Sequence, residues 1–333
     1  MNQPLVSVVT PFYNTAPFLA QCIESVLAQT YSNFEYVLSD NCSTDGSREI
    51  AERYAQRDSR IRIVRQPKLL AQVPHYNAAL AAISAESQYC KMVQADDAIF
   101  PECLQSMVRC FQQSESIGLV SAYDLKGTIL RGSGYPFPTP VLPGKEMARL
   151  YLRTGTFVFG SPSTLMYRSS IVREQKPFYQ EGLLHEDTEK CMQILEHWDF
   201  GFVHQVLSFL RAGNESITYA TRNFQPRAID RYIIVRKFAS LFLEPQEAAD
   251  LKLFTKREYY RVLAAEAVRF PGREFWQYHQ KGLRTLGESL DSSYLARQVL
   301  KQVLWLLVNP GTAVLLLWRF VNRKLKWHRV VAD

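Results

Sequence analysis

The chain has 333 residues, of which 47% are hydrophobic and 21% charged, and its formal net charge is +7. This length permits one large core with an accessory region or two small domains, and the composition excludes a disordered chain. The six cysteines show no C-x-x-C spacing, and no signal-peptide pattern precedes the first apolar run. We therefore expect a cytoplasmic protein with reduced thiols, without a disulfide framework or a zinc site.

The first 120 residues alternate strand-like and helix-like segments. The predicted strands cover 5–10 (ended by Pro11), 34–39, 61–64 and 89–93. The predicted helices cover 19–27, the segment from Gly46, 76–85 and the segment that Pro101 opens. Strands separated by helices form βαβ units. The sequence therefore predicts an α/β fold with a mainly parallel sheet flanked by helices.

After residue 120 the pattern loosens. Residues 132–143 are rich in Gly and Pro and predict a long loop over the site or beside an acceptor pocket. Strands are predicted at 163–167 and 201–210, a helix at 187–196, and helical segments from 222 to about 290. The predicted domains are 1–220 (a nucleotide-binding half 1–120 and an acceptor half 121–220), a helical region 221–290 and a basic tail 291–333.

Two short acidic clusters follow predicted strands. They are Asp40-Asn41-Cys42-Ser43-Thr44-Asp45-Gly46 and Gln94-Ala95-Asp96-Asp97. The carboxyl ends of parallel strands line the crevice where open α/β sheets bind ligands. Acids cannot bind a diphosphate by themselves, whereas a carboxylate-held divalent cation can. The clusters therefore predict a metal-nucleotide site.

Four segments, in order, resemble motifs of the family 2 inverting glycosyltransferases. The segments are Val6–Asn14, Leu38–Gly46, Gln94–Asp97 with Pro101 after it, and His185–Asp187. One such motif would be weak, but four in order over residues 5–215 are a specific signal. The resemblance implies the A-type glycosyltransferase fold, with a Rossmann-like nucleotide-binding half. It also implies metal-dependent transfer of a sugar from a nucleotide donor, expected to be UDP-linked, to an acceptor hydroxyl with inversion.

The resemblance assigns a set of side chains to the nucleotide. These residues are Pro11, Tyr13, Asn14, Asp40, Asn77, Gln94, Asp96 and Arg211. Asp40 would accept a hydrogen bond from a uracil ring N–H, although a turn residue bonded to its own backbone is the alternative. Arg211 would clamp the diphosphate, and a surface salt bridge is its alternative. Tyr76 departs from the family pattern, because an arginine is often found there.

The metal ligands and the general base also come from the resemblance. Asp96 would be the main ligand of Mn²⁺ or Mg²⁺, and Asp97 would join it in the metal site or on the ribose side. Gln94 replaces the first acid of the Asp-x-Asp triplet, and its amide can still bind ribose or metal-bound water. A solvated loop before a helix is the alternative for the acids. Asp187 matches the general base and Glu186 is the second choice, with helix capping as the structural explanation.

The tail 292–333 is basic and apolar. It holds seven Lys/Arg against one acid, so +6 of the net charge lies there. Its apolar run is interrupted at Asn309-Pro310, and neither half reaches the ~20 apolar residues of a spanning helix. We expect two amphipathic helices on an anionic membrane, anchored by Trp305, Trp318 and Trp327, with a structural or dimerising hairpin as the alternative. The expected partners are a glycan or lipid-linked acceptor at the inner face of the cytoplasmic membrane, and no nucleic acid.

Two other functions compete with sugar transfer. A sugar-phosphate nucleotidyltransferase would carry a Gly-rich, basic loop after the first strand, where this chain has Pro11-Phe12-Tyr13-Asn14-Thr15. A catalytically inactive, membrane-associated sugar-binding or scaffold protein of the same fold is the second competitor. The joint presence of Asp40, Asp96, Asp97 and Asp187 argues against it.

Overall fold

The structure, a computed structural model, describes residues 3–182, 186–212, 221–309 and 311. The chain divides into two compact units, Met1–Glu215 and Ser216–Asp333. The site predicted from the sequence lies in the first unit, and the tail lies in the second. The boundaries predicted at 220 and 290 stay predictions.

A sheet of ten described strands organises the first unit. The strands are β1 (Val6–Phe12), β2 (Phe34–Asp40), β3 (Ile61–Arg65), β4 (Tyr89–Met92), β5 (Ala98–Ile99), β6 (Ile117–Lys126), β7 (Ile129–Arg131), β8 (Val141–Leu142), β9 (Met166–Arg168) and β10 (Asp199–Leu210). Their order is β3-β2-β1-β4-β9-β6-β10-β5, with β7 beside β6 and β8 beside β10. The first four strands pair in parallel, whereas β9 runs antiparallel to both β4 and β6. The α/β class is confirmed, and the second half of the sheet is mixed.

Helices connect the strands of this unit. They are α1 (Ala16–Leu27), α2 (Ser47–Ala55), α3 (Gln72–Leu80), α4 (Cys103–Phe111), α5 (Gly144–Thr154), α6 (Ser169–Glu174) and α7 (Glu186–Ile194). All seven residues of β1 are buried, as expected for a central strand of a parallel sheet. Because β1, β2 and β4 are parallel, their carboxyl ends meet at one edge. Residues 13–14, 41–46 and 94–97 therefore lie at this edge.

Several predicted boundaries differ from the observed ones by a few residues, β8 lies inside the loop predicted at 132–143, and three further segments also differ. β1 continues through Pro11, whose pairing is with β2 alone because β4 stops pairing at Val9; a proline is tolerated where one side of the ladder is open. The helix predicted at 76–85 begins at Gln72, since Pro74 sits in the first turn, where no intrahelical N–H bond is required. The strand predicted at 163–167 is a 3₁₀ turn, Pro162–Thr164, followed by β9.

The described part of the second unit is helical, as predicted. Its helices are α8 (Pro226–Phe242), α9 (Pro245–Ala267), α10 (Arg273–Arg284) and α11 (Ser292–Val308). No residue of α11 is buried, and the helix ends beside the break predicted at Asn309. Among the described residues, no helix has the length and hydropathy needed to cross a bilayer. The second predicted tail helix, at 310 and 312–333, lies outside the described residues.

Candidate active site

The loops that follow β1 and β2 are joined by hydrogen bonds. Asn14 Oδ1 accepts from the backbone N of Thr44 at 2.8 Å, and Asp45 Oδ2 accepts from the backbone N of Ala16 at 2.9 Å. Asp45 Oδ1 also accepts from Ser47 Oγ at 2.6 Å. Burial alone would raise the pKa of Asp45, but these hydrogen bonds lower it. The two loops therefore form one ordered surface at the carboxyl edge of the sheet.

Asp40 lies at the end of β2 with a fully buried side chain. Its Oδ1 accepts from the backbone N of Ser43 at 2.8 Å, and its Oδ2 accepts from Arg48 Nε at 2.7 Å. The turn contact considered for Asp40 is thus observed, and the uracil contact stays a prediction. Of the residues expected to wall the base, Pro11 is buried in β1 while Tyr13 is 44% exposed at the same edge. Arg48 has no motif of its own, and its contact with Asp40 was not predicted.

The loop after β4 carries two carboxylates in different environments. Asp96 is half-buried, whereas Asp97 is buried and its Oδ2 accepts from Ser163 Oγ at 2.5 Å. The other oxygen, Oδ1, accepts from the backbone N of Arg211 at 3.2 Å. Burial raises the pKa of Asp97 to about 7, and the neighbouring charge of Asp96 contributes to the rise. Asp97 therefore anchors the loop, and Asp96 is the more accessible carboxylate.

Arg211 packs directly on this loop. Its Nε donates to the backbone O of Asp96 at 3.2 Å, and its Nη2 donates to Gln21 Oε1 at 2.6 Å. The guanidinium also stacks 4.6 Å from the ring centroid of Phe18. Within the described chain no carboxylate forms an ion pair with Arg211. The structure thus places beside Asp96 an arginine whose guanidinium contacts only neutral groups among the described residues, and its phosphate role stays a prediction.

The Tyr76 hydroxyl bridges the loop after β4 and the start of α3. It accepts from Gln94 Nε2 at 2.7 Å and from Gln72 Nε2 at 2.6 Å. Burial raises the pKa of Tyr76, and the negative charges of Glu186 and Asp96 raise it further. The sequence identified Tyr76 only as a departure from the family pattern, and its hydrogen bonds to Gln94 and Gln72 were not predicted.

The two acids assigned to general-base chemistry begin α7. Glu186 and Asp187 are both buried in its first turn, where the helix dipole favours negative charge. Asp187 Oδ1 accepts from the backbone N of the next residue, Thr188, at 2.6 Å, a local contact within the first turn. The charge of Asp187 also contributes to the raised pKa of the buried Tyr179. His185, the first residue of this motif, lies outside the described residues.

Asn77 fixes the segment that leads to α7. Its Nδ2 donates to the backbone O of Tyr179 at 2.9 Å, and its Oδ1 accepts from the backbone N of Tyr179 at 2.7 Å. Both polar atoms of the amide are thereby used on one residue that lies 102 positions away. Asn77 therefore orders the approach to Glu186 and Asp187, and its nucleotide contact stays a prediction.

Ser163 was not anticipated, although it holds the loop after β4 in place. Its Oγ donates to Asp97 and accepts from the backbone N of Gln94 at 2.9 Å. Its backbone O accepts from the fully buried Lys91 Nζ at 2.8 Å and from Ser208 Oγ at 2.9 Å. Burial lowers the pKa of Lys91. One serine from the second half of the unit thus fixes both ends of the segment Gln94–Asp97.

Asp96 and Asp97 are the carboxylates of the loop after β4 that could bind a divalent cation. The described residues contain no group of three His, Cys, Asp or Glu side chains that could enclose one. Asp96 offers a half-buried carboxylate, and Mg²⁺ is often held by one or two carboxylates together with substrate phosphates. The residues present therefore fit a cation that binds together with a diphosphate, rather than a cage made by the protein alone.

The arrangement of strands and helices in the first unit is the A-type glycosyltransferase fold. The family model described as glycosyl transferase family 2 matches residues 7–175, just over half of the chain. The chain therefore belongs to glycosyl transferase family 2. The resemblance that the four motifs suggested is confirmed.

Known proteins similar to the chain agree with this placement. Glycosyltransferase GlyG of Streptococcus pneumoniae serotype 4 is 31% identical over 119 residues, which cover 36% of this chain and 39% of GlyG. The crystal structure of S. aureus TarS 1–349 with UDP-GlcNAc has a TM-score of 0.60 at 18% identity, covering 84% of this chain and 79% of that one. Mannosyltransferase PcManGT of Pyrobaculum calidifontis, in complex with GDP-Man and Mn²⁺, has a TM-score of 0.54 at 15% identity, covering 98% and 87%.

Proposed function

We propose that the protein transfers a sugar from a UDP-linked donor to an acceptor hydroxyl in a single, inverting displacement that depends on Mn²⁺ or Mg²⁺. The observation that carries the proposal is the half-buried carboxylate of Asp96, which lies beside the side chain of Arg211 at the carboxyl edge of the parallel strands. A carboxylate and a cationic side chain at this edge support a site for a cation and a diphosphate. The UDP-GlcNAc of TarS and the GDP-Man and Mn²⁺ of PcManGT support a nucleotide-sugar donor and a cation.

The nucleotide donor would bind at the carboxyl edge of the parallel strands. Asp96 would hold the cation together with the diphosphate, and the cation would supply charge neutralisation for the departing diphosphate. Arg211, whose guanidinium contacts only neutral groups among the described residues, would add a second positive charge on the same side. Tyr13 and Asn14 are exposed beside the Asp40 turn, where the base would lie.

The acceptor half requires one carboxylate as a proton acceptor. Asp187 would take the proton from the acceptor hydroxyl as that oxygen attacks the anomeric carbon, opposite the diphosphate. Attack from the opposite face inverts the configuration at that carbon, because no covalent intermediate intervenes. Glu186, the neighbour of Asp187 and an electrostatic partner of Tyr76, is the second candidate for the base.

The acceptor is proposed to be a lipid-linked glycan or polysaccharide precursor at the inner face of the cytoplasmic membrane. Helix α11 supports this proposal, because Leu304, Trp305 and Leu307 are 52%, 50% and 71% exposed. Arg297 and Lys301 lie on the same helix. Apolar side chains beside cationic ones are typical of helices that lie on anionic membranes.

A nucleotide-sugar screen tests the proposed function against the inactive scaffold. Thermal unfolding of the full-length protein is measured with a panel of nucleotide sugars, each with Mn²⁺, Mg²⁺ or EDTA. A UDP-sugar that raises the melting temperature only with metal supports the proposal, because a bound ligand stabilises the folded state. Stabilisation by free sugars or glycans, with no response to any nucleotide, would instead support the scaffold.

A further inference from the structure

The two residues at which the chain departs from its family pattern contact each other. Gln94 stands where the first acid of the Asp-x-Asp triplet is expected, and Tyr76 stands where an arginine is often found. The Nε2 of Gln94 donates to the Tyr76 hydroxyl at 2.7 Å, although 18 residues separate them. An acid and an arginine at these positions would form an ion pair, whereas this chain places a neutral hydrogen bond there. The two departures are therefore linked in space.

The hydrogen-bond capacity of this pair fixes the orientation of the amide. The Tyr76 oxygen accepts from Gln72 Nε2 and from Gln94 Nε2, which uses both of its lone pairs. With Nε2 committed to the hydroxyl, Gln94 Oε1 points away from Tyr76, and it has no partner among the described residues. Tyr76 is 6% exposed, so the hydroxyl cannot easily exchange this amide for water. Gln94 thus presents a fixed, neutral acceptor at the edge that carries Asp96.

We propose that Tyr76 is a positioning residue for donor binding and that Tyr76 and Gln94 act as one unit. The hydroxyl holds the Gln94 amide so that Oε1 faces the nucleotide donor, and this role rests on the proposed function. Because the pair is neutral, it adds no charge beside Asp96 and Asp97, whose charge would be balanced by the donor's cation and by Arg211. Changing either partner alone to its charged counterpart would upset that balance.

A double-mutant cycle tests whether the two side chains act as a unit. The affinity for UDP with Mn²⁺ is measured by calorimetry for the wild type, Tyr76→Phe, Gln94→Ala and the double variant. Each single change is expected to weaken affinity about five- to tenfold, the size of one lost hydrogen bond in a polar site. The double variant should be no weaker than the weaker single variant. Losses that multiply in the double variant would overturn the proposal, because they show independent side chains.

A charge-pair rescue tests the same unit without relying on Tyr76→Phe. Gln94→Asp alone adds an acid to an acidic edge, and Tyr76→Arg alone adds a cation that can pair with Asp96 or Glu186. Each is expected to weaken UDP binding at least tenfold. The double variant Tyr76→Arg/Gln94→Asp forms its own ion pair and should regain affinity to within about threefold of the wild type. A double variant that binds no better than the poorer single variant would overturn the proposal.

A matched tyrosine separates positioning from general stability. Tyr36→Phe also removes a buried hydroxyl, which lies 3.0 Å from Thr10 Oγ1 in the core. It should lower the melting temperature and leave UDP affinity unchanged, whereas Tyr76→Phe should lower affinity. Equal affinity losses in both variants would overturn the positioning role. A wild-type protein that binds no nucleotide would refute the proposed function itself. If the wild type binds UDP but the double-mutant cycle shows independent side chains, only the positioning role is refuted.

Discussion

Ser163 Oγ donates to Asp97 Oδ2 at 2.5 Å, across 66 residues of sequence. The same oxygen accepts from the backbone N of Gln94, so one hydroxyl holds both ends of the segment that carries Asp96. The geometry of the proposed metal site therefore depends on a side chain from the second half of the unit. Asp97 faces inward toward Ser163, and Asp96 remains at the accessible edge.

Replacement of Ser163 by alanine should therefore weaken both the fold and the site. The change removes a buried hydrogen bond and leaves the Asp97 oxygen without its donor, at a cost of about 1–3 kcal/mol in the free energy of unfolding. Urea unfolding measures this loss, and calorimetry should show weaker metal-dependent UDP binding. Ser121→Ala is the matched control, because Ser121 Oγ is equally buried and donates to the backbone O of Val158 at 2.8 Å. Unchanged UDP affinity in Ser163→Ala would contradict the role given to this serine.

The stability of the metal-free protein should depend on the protonation of Asp97. Its pKa is raised to about 7 in the folded state from 3.8. Between these values the folded state binds more protons than the unfolded state, so stability falls as the pH rises from about 4 to 7. Asp97→Asn removes this contribution, on the order of 1–4 kcal/mol at pH 8. Urea unfolding in EDTA should show the variant gaining stability relative to the wild type as the pH rises. A difference in the free energy of unfolding between variant and wild type that does not change with pH would contradict the raised pKa of Asp97.

The proposed base can be tested by an exchange of carboxylate for amide. Asp187→Asn keeps the shape of the side chain and an oxygen that accepts from the backbone N of Thr188, but it cannot take a proton. Turnover should fall by ~10²–10⁴, the usual effect of losing a general base, while donor binding is retained. Steady-state kinetics and UDP calorimetry on the same variant separate the two effects. Near-normal turnover here, together with a large loss in Glu186→Gln, would transfer the role to Glu186.

The tail should carry the membrane affinity. A chain ending at Asp291 lacks six of the seven net positive charges, so it should stay in solution when anionic vesicles are floated, while the full-length protein floats with them. Each Lys or Arg near an anionic surface adds ~1 kcal/mol, which salt screens, whereas the apolar contribution persists. Flotation at low and high salt measures both parts. If the full-length protein does not bind anionic vesicles, or if the shortened chain unfolds, the tail is instead a structural or dimerising hairpin.

Local patterns predicted the parallel strands of the first half and the edge at which the acids lie, because strand and helix periodicity is visible within a short window. The contacts that organise the site are not local. Asn77 meets Tyr179 across 102 residues, and Ser163 meets Asp97 across 66. Such pairs leave no periodic signal, and they depend on how β9 is inserted between β4 and β6. The family motifs located Asp40, but its ion pair with Arg48 became visible only in the fold.

The central claim is that Asp96 enables metal-dependent use of a nucleotide sugar. The most direct measurement is the release of UDP from UDP-sugars by the full-length protein without acceptor, with Mn²⁺ and with EDTA. Asp96→Ala is compared with Asp58→Ala, which removes an acid that pairs with Arg60 outside the proposed site. We expect slow, metal-dependent release by the wild type and by Asp58→Ala, and none above background by a folded Asp96→Ala. Equal release by Asp96→Ala, or release that EDTA leaves unchanged, would contradict the account.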